Sequence, residues 1–472
     1  MKKTKIIATL GPASTKKETV KAMILEGMNI IRLNMSHGDY EEQMERVNIV
    51  RALNEELGTN VAILLDTKGP EVRTGLFEEK KVLLEKGNEV VITMDDVVGT
   101  SQKFTVSYKG LTKDLKAGDI ILLDDGYVSV KVKEIKGNDI VCEILNTGYM
   151  KDRRGVNVPG VTLNFEFMSE KDKNDILWAC ENNLDFIAAS FVRNKQDLQE
   201  IYDVINTTNN KDIKVLSKIE SQDGTENVDD IIALGDGIMI ARGDLGVEIP
   251  AEDVPGIQKS IIKKCNKANK VVVTATQMLE SMQANPRPTR AEVSDVYNAI
   301  MDGTDAVMLS GESAAGDYPV ESVAMQATIA KKAESIFDYE GYLYNMSKNL
   351  EADISDLVSY SAVSTADKLN NVKLIIAITN SGATARKISR LKPKTPIVAV
   401  TPNADVARRL NASFGVYSAV IEKFSTIDEL LEAAIEKAKE KGLIKSGDDV
   451  VISSGSIYGK GNTDLMKVRS IK

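Results

Sequence analysis

The sequence predicts an α/β fold: a closed (β/α)8 TIM barrel, a small β-barrel domain inserted into it, and a C-terminal α/β domain. Three observations predict this. Eight short, nearly continuous apolar runs recur, each followed by a helix-like segment. After the third run the rhythm stops, and residues 71–158 read as short strands between Gly, Asp and Lys turns. Beyond residue 337, strand and helix signals resume in a new series.

The eight runs cover residues 5–10, 29–34, 61–66, 185–191, 213–219, 237–241, 270–276 and 305–310. Parallel strands covered on both faces read as continuous apolar runs, and these do. An open doubly wound sheet shares that pattern, but eight repeats favour closure. Thr15 with Glu18 forms a capping-box signature, and Ser169 with Asp172 is a near match. In the insert, Val82, Val90, Ile120 and Val128 lie in strand-like stretches. Its expected boundaries lie near Pro70 and Pro159, so the barrel comprises residues 1–70 and 159–337. An insertion at the carboxyl end of a barrel strand overhangs the active-site face, which makes residues 71–158 a candidate lid. In residues 338–472, strands are expected near 372–379, 396–401, 415–420 and 450–453, with a capping box at Thr426 and Glu429.

At 472 residues the chain is long enough for about two to four domains. Its 43% apolar and 27% charged residues are those of a soluble globular protein. A net charge of -9 argues against a general nucleic-acid binder, although a local site can still take a small anion. Cys142, Cys180 and Cys265 are scattered without metal-ligand spacing and read as reduced thiols of a cytoplasmic protein. No apolar run approaches the roughly 20 residues that a membrane span needs. The opening stretch is cut by Gly11 and Pro12 and reads as a first strand, not a signal peptide.

Barrel enzymes collect their chemistry at the carboxyl ends of strands, and polar residues gather there. Lys218 and Glu220 end the fifth run two residues apart, so both side chains point the same way. Asp244 follows the sixth run. Two acids from different strands and one lysine can hold a divalent metal and stabilise a developing anion. Arg32, Asn34 and Ser36 share one face at the end of the second run, followed by His37. The third run ends in Asp66 and Thr67, the seventh in Thr276, and the eighth in Ser310 and Glu312. Glu220 and Asp244 suit Mg²⁺. Asn34, Ser36, Asp66 and Thr67 offer oxygens with one full negative charge, which suits a monovalent cation. Arg32 and Arg73 are fork donors suited to phosphate, and Gly243 begins a turn whose amides can receive a carboxylate. The plainer reading makes Lys218 and Glu220 a structural ion pair.

These residues stand in longer segments that resemble the pyruvate kinase family. The segments are residues 4–14 (TKIIATLGPAS), 32–38 (RLNMSHG), 65–75 (LDTKGPEVRTG), 217–220 (SKIE), 241–246 (ARGDLG) and 285–292 (NPRPTRAE). The resemblance runs in order along nearly the whole chain. It implies transfer of the phosphoryl group of phosphoenolpyruvate to ADP, giving ATP and, by protonation of an enolate, pyruvate. By that resemblance Arg32 binds the substrate phosphate, and Lys218 neutralises charge on the phosphoryl group and enolate oxygen. Glu220 and Asp244 hold Mg²⁺ (or Mn²⁺), while Gly243, Asp244 and Thr276 receive the substrate carboxylate. Asn34, Ser36, Asp66 and Thr67 match K⁺ ligands, and Arg73, His37 and Arg154 match nucleotide-side positions. Glu71 stands where K⁺-independent members carry lysine, which implies K⁺ dependence. Ala315 departs from the lysine of many relatives, and residues 161–168 depart from the usual proline-containing hinge. No further domain is expected after Lys472.

A second site is expected at Thr379, Asn380, Ser381, Gly382, Ala383 and Thr384, where hydroxyls and amides at a helix start form a phosphate cradle. Residues 455–463 read as a loop able to close over it. The resemblance implies a sugar-phosphate or nucleotide effector here, and a homotetramer. Two rival readings remain. A metal-dependent carbon–carbon lyase also uses enolate chemistry, but the lid and Arg32 with Arg73 argue against it. A catalytically silent sugar-phosphate sensor would need a damaged site, and Arg32, Lys218, Glu220, Asp244 and Thr276 are all present.

Overall fold

Eight parallel strands close into one barrel, as the eight runs predict. They are β1 (Lys5–Thr9), β2 (Ile30–Asn34), β3 (Ala62–Asp66), β4 (Phe186–Ala189), β5 (Lys214–Ile219), β6 (Gly237–Ala241), β7 (Val271–Ala275) and β8 (Ala306–Leu309). Each pairs with its sequence neighbour, and β1 pairs with β8 to complete the ring. The computed structural model describes residues 1–348, 350, 353–422, 426–455 and 463–472, with the backbone alone at Ile427. Successive residues point to opposite faces. Ile7, Ile30, Leu64, Leu216, Met239 and Met308 therefore fill the barrel interior. Ile6, Ile31, Ile63, Val215 and Ile238 pack outward against the helices. Both faces are dry, which is why these strands carry no polar alternation.

The barrel floor is built by a device repeated on its four even strands. The residue just before each is Asn29, Asp185, Asp236 or Asp305. Each side chain accepts the backbone N–H of the preceding odd strand, from Ile6 (3.0 Å), Ile63 (2.9 Å), Val215 (3.1 Å) and Val272 (2.9 Å). These bonds satisfy strand-entry amides that the parallel ladder leaves open.

Ser169 and Asp172 form the expected capping box, as do Thr426 and Glu429. Thr15 does not. Pro12–Ser14 make a 3-10 turn closed by Ser14, and Thr15 ends that turn in helical conformation. The next helix, Lys17–Glu26, is therefore entered through Lys16, whose side chain caps nothing.

The insert folds as a six-stranded sheet beside a two-stranded ribbon over one apolar core that includes Ile92, Phe104, Val130 and Ile140. Val156–Asn157 and Lys103–Thr105 are the edges of the larger sheet. The segment 72–76 hydrogen-bonds to both edges: Val156 N–H donates to Val72, and Gly75 N–H to Thr105 (2.8 and 2.9 Å). That segment curls the sheet towards closure and blunts its edges.

The C-terminal sheet has strands β9 (Val372–Ile378), β10 (Ile397–Thr401), β11 (Val416–Val420), β12 (Asp449–Gly455) and β13 (Thr463–Ser470), in the order β11-β10-β9-β12-β13. Helices cover both faces. Ile354–Lys368 and Ala383–Ser389 pack on one, and Ile427–Glu440 on the other. The sequence reading did not anticipate β13. It is the antiparallel edge strand, with Met466 and Val468 partly exposed, and carries no apolar run.

Candidate active site

Strand register brings the rim together. Asn34 pairs with Asp66 across β2 and β3, and Asp66 with Ala188 across β3 and β4. Asp66 is buried, and its two oxygens are taken by Arg32 Nε (2.5 Å) and Lys218 Nζ (3.2 Å). Burial alone would raise its carboxyl, but the two cations hold it below the usual range. Arg32 also donates to Thr9 Oγ1 (3.0 Å), so its guanidinium is fixed from two strands.

Lys218 Nζ is the hub. It lies 3.0 Å from Glu220 Oε1 and donates to Ser190 Oγ at 2.7 Å, besides its contact with Asp66. Burial works against its charge, but Asp66 and Glu220 outweigh that and raise its pKa. Glu220 Oε2 accepts the Phe191 N–H at 2.7 Å. Its Oε1 is shielded from solvent and outside hydrogen-bond geometry with Lys218, so it has no hydrogen-bond donor. Burial pushes the Glu220 carboxyl up to about 8, Lys218 opposes the rise, and Asp244 adds to it. Glu220 Oε1 thus faces only the Lys218 ammonium, and with Asp244 adding negative charge the two acids suit a further cation.

Asp244 and Gly243 lie in the first turn of the helix Arg242–Glu248, which starts where β6 ends. Thr276 follows β7 with φ of +67°, and Gln277 with +52°. A β-branched residue there is strained by about 1–3 kcal/mol, and such strain collects at functional sites. Two hydrogen bonds hold it. Thr276 Oγ1 accepts from Gly243 N (2.6 Å) and donates to Ala275 O (2.6 Å). Arg242 ties the turn down, donating to Thr276 O (2.7 Å) and bidentately to Asp295 (2.6 and 2.7 Å).

A cleft of about 350 Å³ separates this rim from the insert. His37, Arg73 and Arg154 line it, as do Asp244 and the insert's Asp124 and Asp125. Arg73 Nε is held by Glu71 Oε2 at 2.7 Å, and Arg154 Nε lies 3.6 Å from Asp124. Ser36 is exposed beside Asn34 and donates its N–H to Asn34 Oδ1 (3.1 Å). Thr67 Oγ1 accepts the Ser190 N–H (3.1 Å). At the far end, Thr379 Oγ1 accepts the Gly382 N–H (2.9 Å), and Gly382, with φ of +83°, opens the helix carrying Ala383 and Thr384. Asn380 and Ser381 face the barrel floor instead. Most of the loop at 455–463 lies outside the described residues.

Several residues of the rim were not singled out from the sequence. Ser190 links Lys218 to Thr67 O (2.7 Å), and its position at the end of the fourth run was the available signal. Arg242 with Asp295, and Asp124 with Asp125, are joined to the site only by folding. Among the described residues no three His, Cys, Asp or Glu side chains cluster as a metal site. The chain thus offers two carboxylates, leaving the remaining positions of a divalent ion to water and substrate.

The fold and rim define a barrel enzyme built to stabilise anionic, oxygen-rich reacting groups with fixed cations beneath a lid. Comparison with known proteins identifies which one. The description "Pyruvate kinase, barrel domain" matches residues 1–323, and "Pyruvate kinase, alpha/beta domain" matches residues 356–469. Pyruvate kinase of Clostridium acetobutylicum is 46% identical over 474 residues, covering all of both chains. That of Bacillus licheniformis is 48% identical over 99% of this chain and 80% of its own. The crystal structure of a pyruvate kinase from Cryptosporidium parvum superposes with a TM-score of 0.95 at 39% identity, covering 100% of this chain and 96% of that one. The chain belongs to the pyruvate kinase family, and is a phosphotransferase.

Proposed function

We propose that this rim moves the phosphoryl group of phosphoenolpyruvate to ADP, with residues in the roles their geometry supports. The observation that carries the reading is Lys218 Nζ, which is buried, cationic and held by Asp66, Glu220 and Ser190 at the rim. Arg32, fixed by Asp66 and Thr9, presents its remaining donors to the substrate phosphate. Lys218 stabilises negative charge on the transferring phosphoryl group, then on the enolate oxygen left when that bond breaks. Protonation of the enolate carbon completes pyruvate. Gly243, Asp244 and Thr276 frame the substrate carboxylate, and the two Thr276 hydrogen bonds keep the frame rigid before substrate arrives. His37, Arg73 and Arg154 line the lid side of the cleft, where the ADP phosphates fit.

Glu220 and Asp244 are the residues that would hold Mg²⁺ or Mn²⁺, and the undonated Glu220 Oε1 fits that group. When bound, such an ion supplies Lewis-acid neutralisation of phosphate and enolate oxygens. Asn34, Ser36, Asp66 and Thr67 present oxygens from adjoining strands, a donor set that fits K⁺. Pyruvate formation from phosphoenolpyruvate and ADP, with Mg²⁺ and with or without K⁺, tests the whole reading. No pyruvate under any of these conditions refutes it.

The Thr379–Thr384 loop follows β9, and the strand order reverses between β9 and β12. Open α/β sheets bind ligands outside the carboxyl ends of strands at such a switch point. That supports an effector phosphate here, and a flat activity titration across sugar phosphates and AMP would refute it. The family resemblance supports a homotetramer, which sedimentation would check. No helix among the described residues is long and apolar enough to cross a membrane, and the three cysteines are buried and unpaired, as suits a reducing cytoplasm.

A further inference from the structure

The chain returns from the lid to the barrel through residues 161–168, a stretch without proline. Exposure alternates along it. Val161, Leu163 and Phe165 turn inward between exposed Thr162, Asn164 and Glu166. The first three pack on the apolar core of the insert, whereas Phe167 is buried in the core of the barrel. The passage from one body to the other therefore falls between Phe165 and Phe167. Arg193 stands over that junction. Its guanidinium carbon lies 5.4 Å from the centre of the Phe165 ring and 6.0 Å from that of Phe167. Its Nη1 also donates to Leu163 O (3.2 Å).

Arg193 is itself fixed to the barrel. Asp197 accepts from its Nε (2.9 Å), its Nη2 (3.1 Å) and its backbone N–H (3.0 Å), and Arg193 O accepts from the Asn227 amide (3.1 Å). It lies in the loop after β4, just past Ser190, which binds Lys218, and Phe191, whose N–H binds Glu220. One loop thus steadies the lysine and the acid of the rim and grips the lid. On the lid side, Phe165 meets the Tyr108 ring edge-on (5.3 Å, 81°). Asp114 accepts from the Tyr108 hydroxyl (2.7 Å) and from the N–H and side-chain amide of Asn164 (3.0 and 2.8 Å). A proline fixes its own φ, whereas a stretch without one keeps backbone freedom that an outside contact must remove.

We propose that Arg193 is a positioning residue for phosphoryl transfer: it pins the returning hinge by holding Phe165 of the lid and Phe167 of the barrel under one guanidinium, and so sets the lid over the rim. The inference rests on the reading that the lid side of the cleft takes ADP. Arginine is required because its fork pairs with Asp197 while its face stays open to the rings, and lysine cannot do both. The residues assigned to phosphoenolpyruvate, Arg32, Lys218, Gly243 and Thr276, all stand on the barrel. Arg73 and Arg154, on the nucleotide side, are carried by the lid. A loosened hinge therefore weakens ADP binding and spares phosphoenolpyruvate.

Three variants of the full chain test it. Arg193→Lys keeps the charge and loses the fork. Phe165→Leu keeps an apolar side chain on the lid core and loses the ring, and Phe165→Tyr keeps the ring. In the first two, KM for ADP is expected to rise about threefold to tenfold, the size of one aromatic or cation–π contact, with KM for phosphoenolpyruvate unchanged. Phe165→Tyr is expected to restore the wild-type KM. Hydrogen exchange of the substrate-free chain gives a readout apart from activity. The Val161 and Asn164 amides, bonded to Val158 O (3.2 Å) and Asp114 (3.0 Å), should exchange faster in the two disrupting variants and at the wild-type rate in Phe165→Tyr. The proposal is overturned if both disrupting variants keep the wild-type KM for ADP, if Phe165→Tyr is as impaired as Phe165→Leu, or if the two KM values rise together. A wild-type chain that forms no pyruvate refutes the parent reading instead, and exchange then decides the hinge: rates equal to wild type in both disrupting variants overturn it.

Discussion

Lys218→Met separates catalysis from stability at the centre of the rim. The change keeps the length of the side chain and deletes Nζ, with its contacts to Asp66 (3.2 Å), Glu220 (3.0 Å) and Ser190 (2.7 Å). A preorganised donor aimed at developing charge is worth about 10²–10³ in kcat, or about 2.7–4 kcal/mol. The folded state loses less. An unpaired buried charge costs about 3–5 kcal/mol, but burial already raises the Glu220 carboxyl, and removing Lys218 takes away the cation that opposes the rise, so Glu220 takes up a proton. Asp66 keeps Arg32 as its counter-ion. What remains is the Ser190 hydrogen bond, worth about 1 kcal/mol. The variant should therefore fold, with kcat down about 10²–10³-fold and stability down by only about 1 kcal/mol. A coupled assay of pyruvate release at saturating phosphoenolpyruvate, ADP, Mg²⁺ and K⁺ reads the first quantity, and urea unfolding the second. A folded variant with kcat within tenfold of wild type would remove Lys218 from its role.

Three further outcomes are expected. Thr276→Ala keeps the +67° backbone but loses both hydroxyl bonds, so it should cost about 1–3 kcal/mol of stability and raise KM for phosphoenolpyruvate; an unchanged KM refutes the carboxylate frame. Glu71→Lys places a fixed cation beside Arg73 in the cleft and should restore activity in K⁺-free buffer; continued dependence on K⁺ refutes the reading of Glu71. Burial lowers the pKa values of Lys2 and Lys5 from 10.5 to about 7, so the folded state binds fewer protons than the unfolded one between those values, and stability rises with pH across that window. The rise is about 1.4 kcal/mol per lysine from pH 8 to 9, and urea midpoints of wild type and Lys5→Met should diverge accordingly. Parallel pH curves would refute it.

The barrel strands were legible because a strand dry on both faces is nearly continuous in apolar residues between its ends, as Ile6, Ile7, Ile30 and Ile31 are. Edge strands are not so constrained. Thr463–Ser470 and Lys103–Thr105 carry ordinary polar residues and owe their conformation to a neighbour's hydrogen bonds. The Thr15 signature failed for a local reason: Gly11–Ser14 close their own turn first. Ser190, Asp295 and Arg242 escaped notice because each draws its meaning from a partner on another element.

Sequence alone determined the strand repeat, the residue types at the strand ends and the family. Those follow from periodicity and local order, which a chain carries before it folds. Tertiary structure decided which groups meet. Lys218 and Asp66 stand 152 residues apart, and only barrel closure sets them at 3.2 Å. It also left Glu220 Oε1, among the described residues, with no hydrogen-bond donor and only the Lys218 ammonium 3.0 Å away. Charge and hydrogen-bond balance at such points depend on distances across strands, and periodicity along the chain does not encode them.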